Sequence, residues 1–451
     1  MKKRGSLLEE KIEIIAKKFL ESSNNKDICI ISHFDTDGIT SATIMIKTIK
    51  KIDKKFSLKI VKNLEEKFIY ELPKDKLIIF LDLGSGSLHH IKNSGLKLEE
   101  VFIIDHHEIP NEIQEKIPKE INIINPMLYD KQKISASCLT YLFCRQINPE
   151  IKHLAKLAIL GMIGDTLEKN IDKLNNEIIN DGELKRKRGL LIYPSTRPIN
   201  RALEFSSNPY IPKVTGDING VRNLLKDAGL NPVEGKYKTL LELNKDEMSR
   251  LITAILLREP KAKSHDIVGD IFLIKFFNKL EDAREISAMI NACSRMEESE
   301  TAIQLCMEIP KAKKKAESIH TRYRQFIISG MKIALETQKT DCNGFVIINA
   351  KDKMKDTIVG TIASILSNSS LYEEGTIIIT MAHFENKIKI SSRCVGKNGR
   401  NVREILNNVI KITGGEVGGH EFAAGGIITQ EKEQEFIKIL KKNLEVEVVK
   451  V

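Results

Sequence analysis

The first third of the chain alternates short, nearly unbroken apolar runs at 26–32, 57–62, 76–83 and 99–105 with stretches of helical periodicity, as at 39–51 and 87–94. Runs this continuous lack the in-and-out alternation of a strand with one wet face, and they predict parallel strands covered by helices on both sides. Helical patterns follow at about 135–147 and 151–163. Beyond Pro310, the residues Ala316, Ile319, Tyr323, Phe326, Ile327, Met331 and Ala334 recur at three- and four-residue steps. One long connecting helix is therefore expected there, opening on the basic stretch "KAKKK". A second α/β pattern starts at about 341, with apolar runs at 345–349, 376–381 and 387–391 and helical stretches at 357–367, 401–410 and 431–441. The fold class expected is α/β: a first domain with a mainly parallel sheet over residues 1–180, a helical insertion and connector over 181–338, and a second domain over 339–451.

Composition narrows the function classes. The 451 residues, 41% apolar and 29% charged, are those of a soluble globular protein with two or three domains. A formal net charge of +10 favours an anionic partner, nucleic acid first among them. Seven scattered cysteines, with no C-x-x-C spacing, argue against a disulfide framework or a structural zinc site and for a reducing cytosol. The N-terminal "MKKRG" leads into an amphipathic helix (Leu8, Ile12, Ile15, Phe19) rather than an apolar signal core, and no apolar run approaches a membrane span. A cytoplasmic protein with no membrane partner is expected. The basic "KRKRG", Lys185 to Gly189, is expected as a solvated loop.

The chemistry sits where apolar runs end. "ISHFDTDGIT" places His33, Asp35 and Asp37 after the first run, "FLDLGSGS" places Asp82, "VFIIDHHEIP" places Asp105, His106 and His107, and "LGMIGDT" places Asp165. Carboxyl ends of strands in an open parallel sheet share one edge, so these acids should converge. Crowded ionised carboxylates are costly unless paired or bound to metal. Oxygen-rich ligands with some imidazole suit a pair of cations such as Mn²⁺ or Mg²⁺. In D-T-D, residues two apart on an extended segment would point the same way. Taken alone, D-x-D-G is a turn or helix cap, with Asp accepting first-turn N–H groups and Gly supplying an unusual dihedral. Four such motifs, each after an apolar run, point to a site instead.

These motifs resemble the DHH phosphoesterase superfamily, and within it the archaeal RecJ-like single-strand exonucleases. "SHFDTDG", "LDLGSGS", "DHH" and "GMIGDT" look like the first to fourth motifs; "EDAREISAMINACSRM" (282–296) resembles the inter-domain segment, and "TGGEVGGHEFAAGG" (413–426) is similar to the glycine-rich signature of the DHH-associated domain. The resemblance implies that Asp35 and Asp37 ligate one metal each, that Asp82 bridges them, and that His106 and Asp165 complete the shell. It implies that Asp105 orients an imidazole and that His107 approaches the scissile phosphate or metal. Many superfamily members carry a metal-ligand His four residues before the first aspartate; that position is Ile31 here, and His33 stands two before it as a further catalytic candidate.

In the second domain, glycines that include Gly418 and Gly419, followed by His420, would let backbone N–H groups cradle a phosphate; the resemblance implies that this segment binds the nucleotide being removed or its neighbour and that Arg393 contacts phosphate. The alternative is a tight turn feeding 421–428. Arg284, Asn291 and Arg295, spaced by seven and four, share a helix face suited to single-stranded backbone, unless Arg284 pairs locally with Asp282 or Glu285. The expected activity is two-metal hydrolysis of single-stranded DNA or RNA to mononucleotides, with GINS as the replication partner that the resemblance implies. The alternatives are an oligoribonuclease or cyclic-dinucleotide phosphodiesterase, and a non-catalytic replisome scaffold.

Overall fold

Five strands from the first third, β1 (Ile28–His33), β2 (Phe56–Val61), β3 (Leu77–Leu81), β4 (Val101–Ile104) and β5 (Asn122–Ile124), pair in the order β2-β1-β3-β4-β5. All four pairings are parallel. The computed structural model describes residues 7–445 except 110–113, 115–116, 130, 170, 207–208, 259–266, 338–339, 343 and 370. The unbroken apolar runs have the anticipated cause, because successive side chains enter two different cores. Ile28, Ile30, Leu77, Ile79, Leu81, Phe102 and Ile104 belong to one core, while Cys29, Ile31, Ile78, Phe80, Val101 and Ile103 belong to the other. Chain order reverses between β1 and β3, which opens a crevice at their carboxyl ends.

The chain divides into two compact units, residues 1–187 with 270–320, and residues 188–269 with 321–451. The expected long helix forms over Pro310–Glu336 and contributes to both. In the second unit a six-stranded mixed sheet runs β13-β14-β12-β11-β10-β9. Its strands are β9 (Thr340–Cys342), β10 (Phe345–Asn349), β11 (Ile377–Phe384), β12 (Lys387–Cys394), β13 (Glu416–His420) and β14 (Ala423–Thr429). Only β10 and β11 pair in parallel. A separate apolar cluster, with Leu224, Leu251 and Ile255, holds the helices between 199 and 258 together.

The "KRKRG" stretch is a strand rather than a loop: β6 (Lys185–Leu190) joins β7 (Val268–Phe276) and β8 (Lys279–Asp282) in a three-stranded sheet. Its four basic side chains are exposed, but Gly189 and Leu190 are buried and the Arg186 guanidinium lies 5.2 Å from the Phe272 ring centre. Those contacts give a charged segment a surface to pair and pack on. Cys29, Cys138, Cys144, Cys293, Cys306 and Cys394 are free, buried thiols. Among the described residues no helix is long and apolar enough to cross a membrane.

Candidate metal centre

β1 ends at His33 and the helix Thr36–Lys51 begins three residues later. Asp35 is its N-cap, with Oδ1 accepting the Gly38 N–H at 3.0 Å. Asp37 lies in the first turn and is 1% exposed. The two acids therefore do not share an extended segment as the D-T-D spacing suggested, since the helix has already started at Thr36. They converge because the cap leaves Asp35 Oδ2 facing His33 Nδ1 at 3.0 Å, while Asp37 reaches across to another helix start. There Ala136 N–H and Ser137 N–H donate to its Oδ2 and Oδ1, at 2.6 and 3.0 Å.

Asp82 follows β3 with φ of 59°, a left-handed conformation that Asp and Asn adopt more readily than most residues. Its Oδ2 lies 3.2 Å from His33 Nδ1 and its Oδ1 3.4 Å from His106 Nε2. Asp165 caps the end of the helix Ala155–Gly164, with Oδ2 3.4 Å from the same His106 Nε2. Asp105 is differently placed, since its neighbours already engage both oxygens. Oδ2 accepts Ser85 N–H at 2.9 Å, and Oδ1 accepts the backbone N–H of His106 at 2.8 Å and lies 2.7 Å from His107 Nδ1. Asn125 Nδ2 donates to the His107 carbonyl at 2.9 Å and so fixes the backbone beside that imidazole.

The acids that follow three strands and one helix thus meet in one place. Three groups have ligating atoms within 4.8 Å of one another: His33 with Asp35 and Asp82, Asp37 with His106 and Asp165, and Asp82 with His106 and His107. Burial, followed by the charges of Asp35 and Asp37, pushes the Asp82 carboxyl up to about 7. Burial and then Asp37 raise Asp165 well above the ordinary range. Burial alone would lower His33 and His106, but the carboxylates beside them, Asp35 and Asp82 for the first and Asp82, Asp37 and Asp165 for the second, outweigh it and raise both to about 10. Burial would likewise raise Asp35 and Asp105, and their bonds to His33 and His107 hold both low instead.

These residues fit a divalent cation. Asp82 Oδ1 and Asp165 Oδ2 are buried acceptors without a hydrogen bond among the described residues, a costly state that a cation would relieve. The donor set, carboxylate oxygens with imidazole nitrogen, suits Mn²⁺ or Mg²⁺.

The helix Ala283–Arg295 is tied to this loop by Thr36 Oγ1, which donates to the Ser287 carbonyl at 3.1 Å. Arg284 on that helix is buried against Asp282, with Nε to Oδ1 at 3.1 Å and Nη2 to Oδ2 at 2.8 Å. Asn291 and Arg295 are half-buried on the same helix, and the Arg295 guanidinium lies 5.0 Å from the centre of the Phe34 ring. Phe34 is a residue the sequence reading missed. It stands half-exposed between His33 and Asp35, edge-on to the His33 ring at 4.9 Å. The available signal was its place inside the first motif of a chain with only 5% aromatics.

In the second unit, Gly418, Gly419 and His420 lie on β13, the edge strand of the six-stranded sheet. The glycine segment is neither a tight turn nor a loop but one arm of a hairpin with β14. Gly419 has φ of 122°, and a Cβ there would meet the Ala423 carbonyl at 2.4 Å, so close strand approach requires glycine. His420 and Arg393 both pair in register with Ala423, which puts the two on one face of the sheet with a small residue between. Arg393 also donates from Nε to Ser364 Oγ at 3.0 Å and from Nη1 to the Ser392 carbonyl at 2.8 Å.

Comparison with known proteins places these features in a family. The chain is 29% identical over 445 residues to an uncharacterised protein of Methanocaldococcus jannaschii, covering 95% of this chain and 96% of that one. Its fold resembles RecJ in complex with Mn²⁺ from Thermus thermophilus (TM-score 0.58, 16% identity, 96% of this chain) and exonuclease RecJ bound to manganese (0.59, 15%, 98% of this chain and 95% of that one). It spans about half the length of the Thermus protein, 54%. CDC45 from Entamoeba histolytica has the same fold at TM-score 0.69 and 11% identity, with 97% of this chain and 99% of that one covered. Family models match residues 27–162 (DHH family, N-terminal domain), 192–265 (DHH-CID domain) and 343–446 (DHHA1 domain). The chain thus carries the DHH, DHH-CID and DHHA1 domains, and its fold is close to that of the RecJ exonucleases.

Proposed function

We propose that this protein is a divalent-metal-dependent exonuclease that hydrolyses single-stranded DNA or RNA to mononucleotides. The observation that carries the reading is the set of three overlapping ligand groups sharing Asp82 and His106, with buried oxygens left unsatisfied. Asp35, Asp37, Asp82, His106 and Asp165 would hold two cations, with His33 bonded to Asp35 and Asp82 beside them. Bound Mn²⁺ or Mg²⁺ supplies Lewis-acid polarisation of the phosphoryl oxygens and acidifies water to a nucleophile.

The chain's own groups do the rest. Asp105 holds the His107 ring through Nδ1, and the imidazole, 42% exposed, is free to donate from Nε2 to a phosphate oxygen as charge develops. Burial would lower His107, but its bonds to Asp105 raise it, which favours the protonated ring. Phe34, backed by the Arg295 guanidinium, offers a face on which an unpaired base can stack, which favours single strands over duplex. Asn291 and Arg295 lie on the helix beside it, and Arg284, bonded to Asp282, supports that helix. In the second unit Arg393, His420 and the exposed glycine strand at Gly418 and Gly419 would bind a nucleic-acid phosphate.

Digestion of single-stranded DNA and RNA, labelled at either end, tests the reading with Mn²⁺, Mg²⁺ or EDTA. Release of mononucleotides only with metal is the expected result, and the label lost first gives the polarity. Turnover confined to two- to five-residue oligomers or cyclic dinucleotides would replace the long-strand reading.

Asp105→Asn should cut activity by about 10–100-fold, the usual consequence of losing an orienting partner, with little change in substrate KM. Phe34→Ala should act on the other parameter. Loss of one base stack, worth about 1–3 kcal/mol, should raise KM for single strands roughly 5- to 150-fold and leave kcat nearly intact.

A second reading, a replication scaffold, draws on the CDC45 fold. It fits a protein that binds GINS, and pull-down with purified GINS against a catalytically dead variant would separate binding from hydrolysis. The complete carboxylate cluster favours the enzyme.

A further inference from the structure

Gly161 and Gly164 sit one turn apart in the helix Ala155–Gly164, whose C-cap is Asp165. A glycine inside a helix is unfavourable by about 1 kcal/mol relative to alanine, so two on one face ask for a cause. Both face the start of the Thr36–Lys51 helix. A Cβ on Gly164 would stand 2.8 Å from Thr36 Cβ, and one on Gly161 would stand 2.4 Å from Asp37 Oδ1 and 2.1 Å from Ser137 Oγ. Neither neighbour of Gly161 is a loose side-chain end. The Asp37 carboxylate is pinned by the Ala136 and Ser137 amides, and Ser137 Oγ donates to the Ala158 carbonyl at 3.0 Å, on the same helix that ends in Asp165.

We propose that Gly161, together with the backbone amides of Ala136 and Ser137, forms a fixed seat for the Asp37 carboxylate that sets its spacing from Asp165, making all three positioning residues for metal binding. The inference rests on the metal-centre reading given above. Among the described residues, the hydrogen bonds that seat Asp37 come from backbone amides, which cannot change rotamer to follow the carboxylate if it moves. The two amide bonds leave the carboxylate one orientation, with its remaining lone pairs turned toward His106 Nε2, 3.8 Å away. The helix face without side chains then brings Asp165 up to the same imidazole. A merely structural role for Gly161, close helix packing, would make the same glycine necessary but would not involve the carboxylate.

The two accounts separate in Mn²⁺ affinity measured on full-length protein, by electron paramagnetic resonance of free Mn²⁺, alongside melting in EDTA. Gly161→Ala should weaken Mn²⁺ binding at least about 10-fold. Adding Ser137→Gly removes the contacts with the Ser137 side chain but not the one with Asp37, so the double variant should keep the loss of affinity even where it regains part of its melting temperature. Ala136→Pro is the second probe. Proline is favoured at the first helical position, and Ser135 before it is already extended at φ −77° and ψ 160°. The change deletes the 2.6 Å bond to Asp37 Oδ2 and puts the proline Cδ where the hydrogen stood, so it should push the carboxylate out of its seat and weaken Mn²⁺ at least about 10-fold, with some loss of melting. Gly182→Ala is the control, because its Cβ would meet only the terminal methyl of Ile159 within 3 Å; it should leave affinity unchanged.

Wild-type Mn²⁺ affinity in both Gly161→Ala and Ala136→Pro, or recovery of affinity along with melting in the double variant, would overturn the seat. A wild-type protein that binds no Mn²⁺ would instead remove the metal-centre reading itself, and the seat with it.

Discussion

Asp82→Asn is expected to lower hydrolysis of single strands by about 10³-fold or more at saturating Mn²⁺, while the same variant, stripped of metal, melts no lower than wild type above pH 7. Asp82 is shared by two of the three ligand groups, so its loss disturbs both cation positions at once. Transition-state stabilisation by a bound cation is worth several kcal/mol, and each 1.36 kcal/mol is tenfold in rate. The stability half follows from the metal-free electrostatics. Burial and the charges of Asp35 and Asp37 move the folded carboxyl from 3.8 to about 7.

Between those values the unfolded chain has released the proton and the folded one retains it, so stability falls as pH rises from 3.8 to about 7 and stays reduced above. Asparagine carries no such charge, and it also accepts the left-handed backbone at this position. Melting curves in EDTA from pH 5 to 9, with activity assays in Mn²⁺, check both halves. A variant that melts well below wild type at pH 8 in EDTA would mean that Asp82 is held by its histidines more than it is repelled by its carboxylates.

Gly38→Ala should lower melting by about 2–12 °C and weaken Mn²⁺ binding with it. In an ordinary helix the exchange would gain about 1 kcal/mol, so the sign itself is diagnostic. Here the new Cβ would stand 2.2 Å from the His33 carbonyl oxygen, 2.6 Å from its carbon and 2.8 Å from its Cβ. Two of these atoms are backbone at the end of β1, and backbone cannot rotate away. The helix start must shift, at a cost of about 1–3 kcal/mol for overpacking of this kind, and about 2–4 °C per kcal/mol converts that to the melting change. Because Asp35 caps the helix through the Gly38 N–H itself, the shift moves Asp35 as well. Differential scanning fluorimetry with and without Mn²⁺ reads both effects. A stabilised variant with unchanged Mn²⁺ dependence would sink the idea that this glycine lets the acidic turn lie against the strand.

What the sequence alone determined was whatever depends on near neighbours along the chain. Continuous apolar runs gave the parallel sheet, since a strand buried on both faces must be apolar at every position. Its topology in turn brought Asp35, Asp37, Asp82 and His106 to one edge, as their places after those runs required, while Asp165 reaches them from the end of the helix Ala155–Gly164. The cap chemistry of D-T-D-G was also legible, because an N-cap and its N–H partner are three residues apart.

Tertiary structure decided the rest. The amides that seat Asp37 lie about a hundred residues away, at 136 and 137, and nothing in the local pattern marks them as its partners. The same holds for the stack of Arg295 on Phe34, and for Thr36 tying the helix at 283–295 to the acidic turn. "KRKRG" reads as a solvated loop by charge and becomes a strand only because β7 offers it a partner. Local periodicity reports which face of an element is buried. It carries no information about which distant element does the burying, and the seat, the stack and the edge strand are all made of such distant pairs.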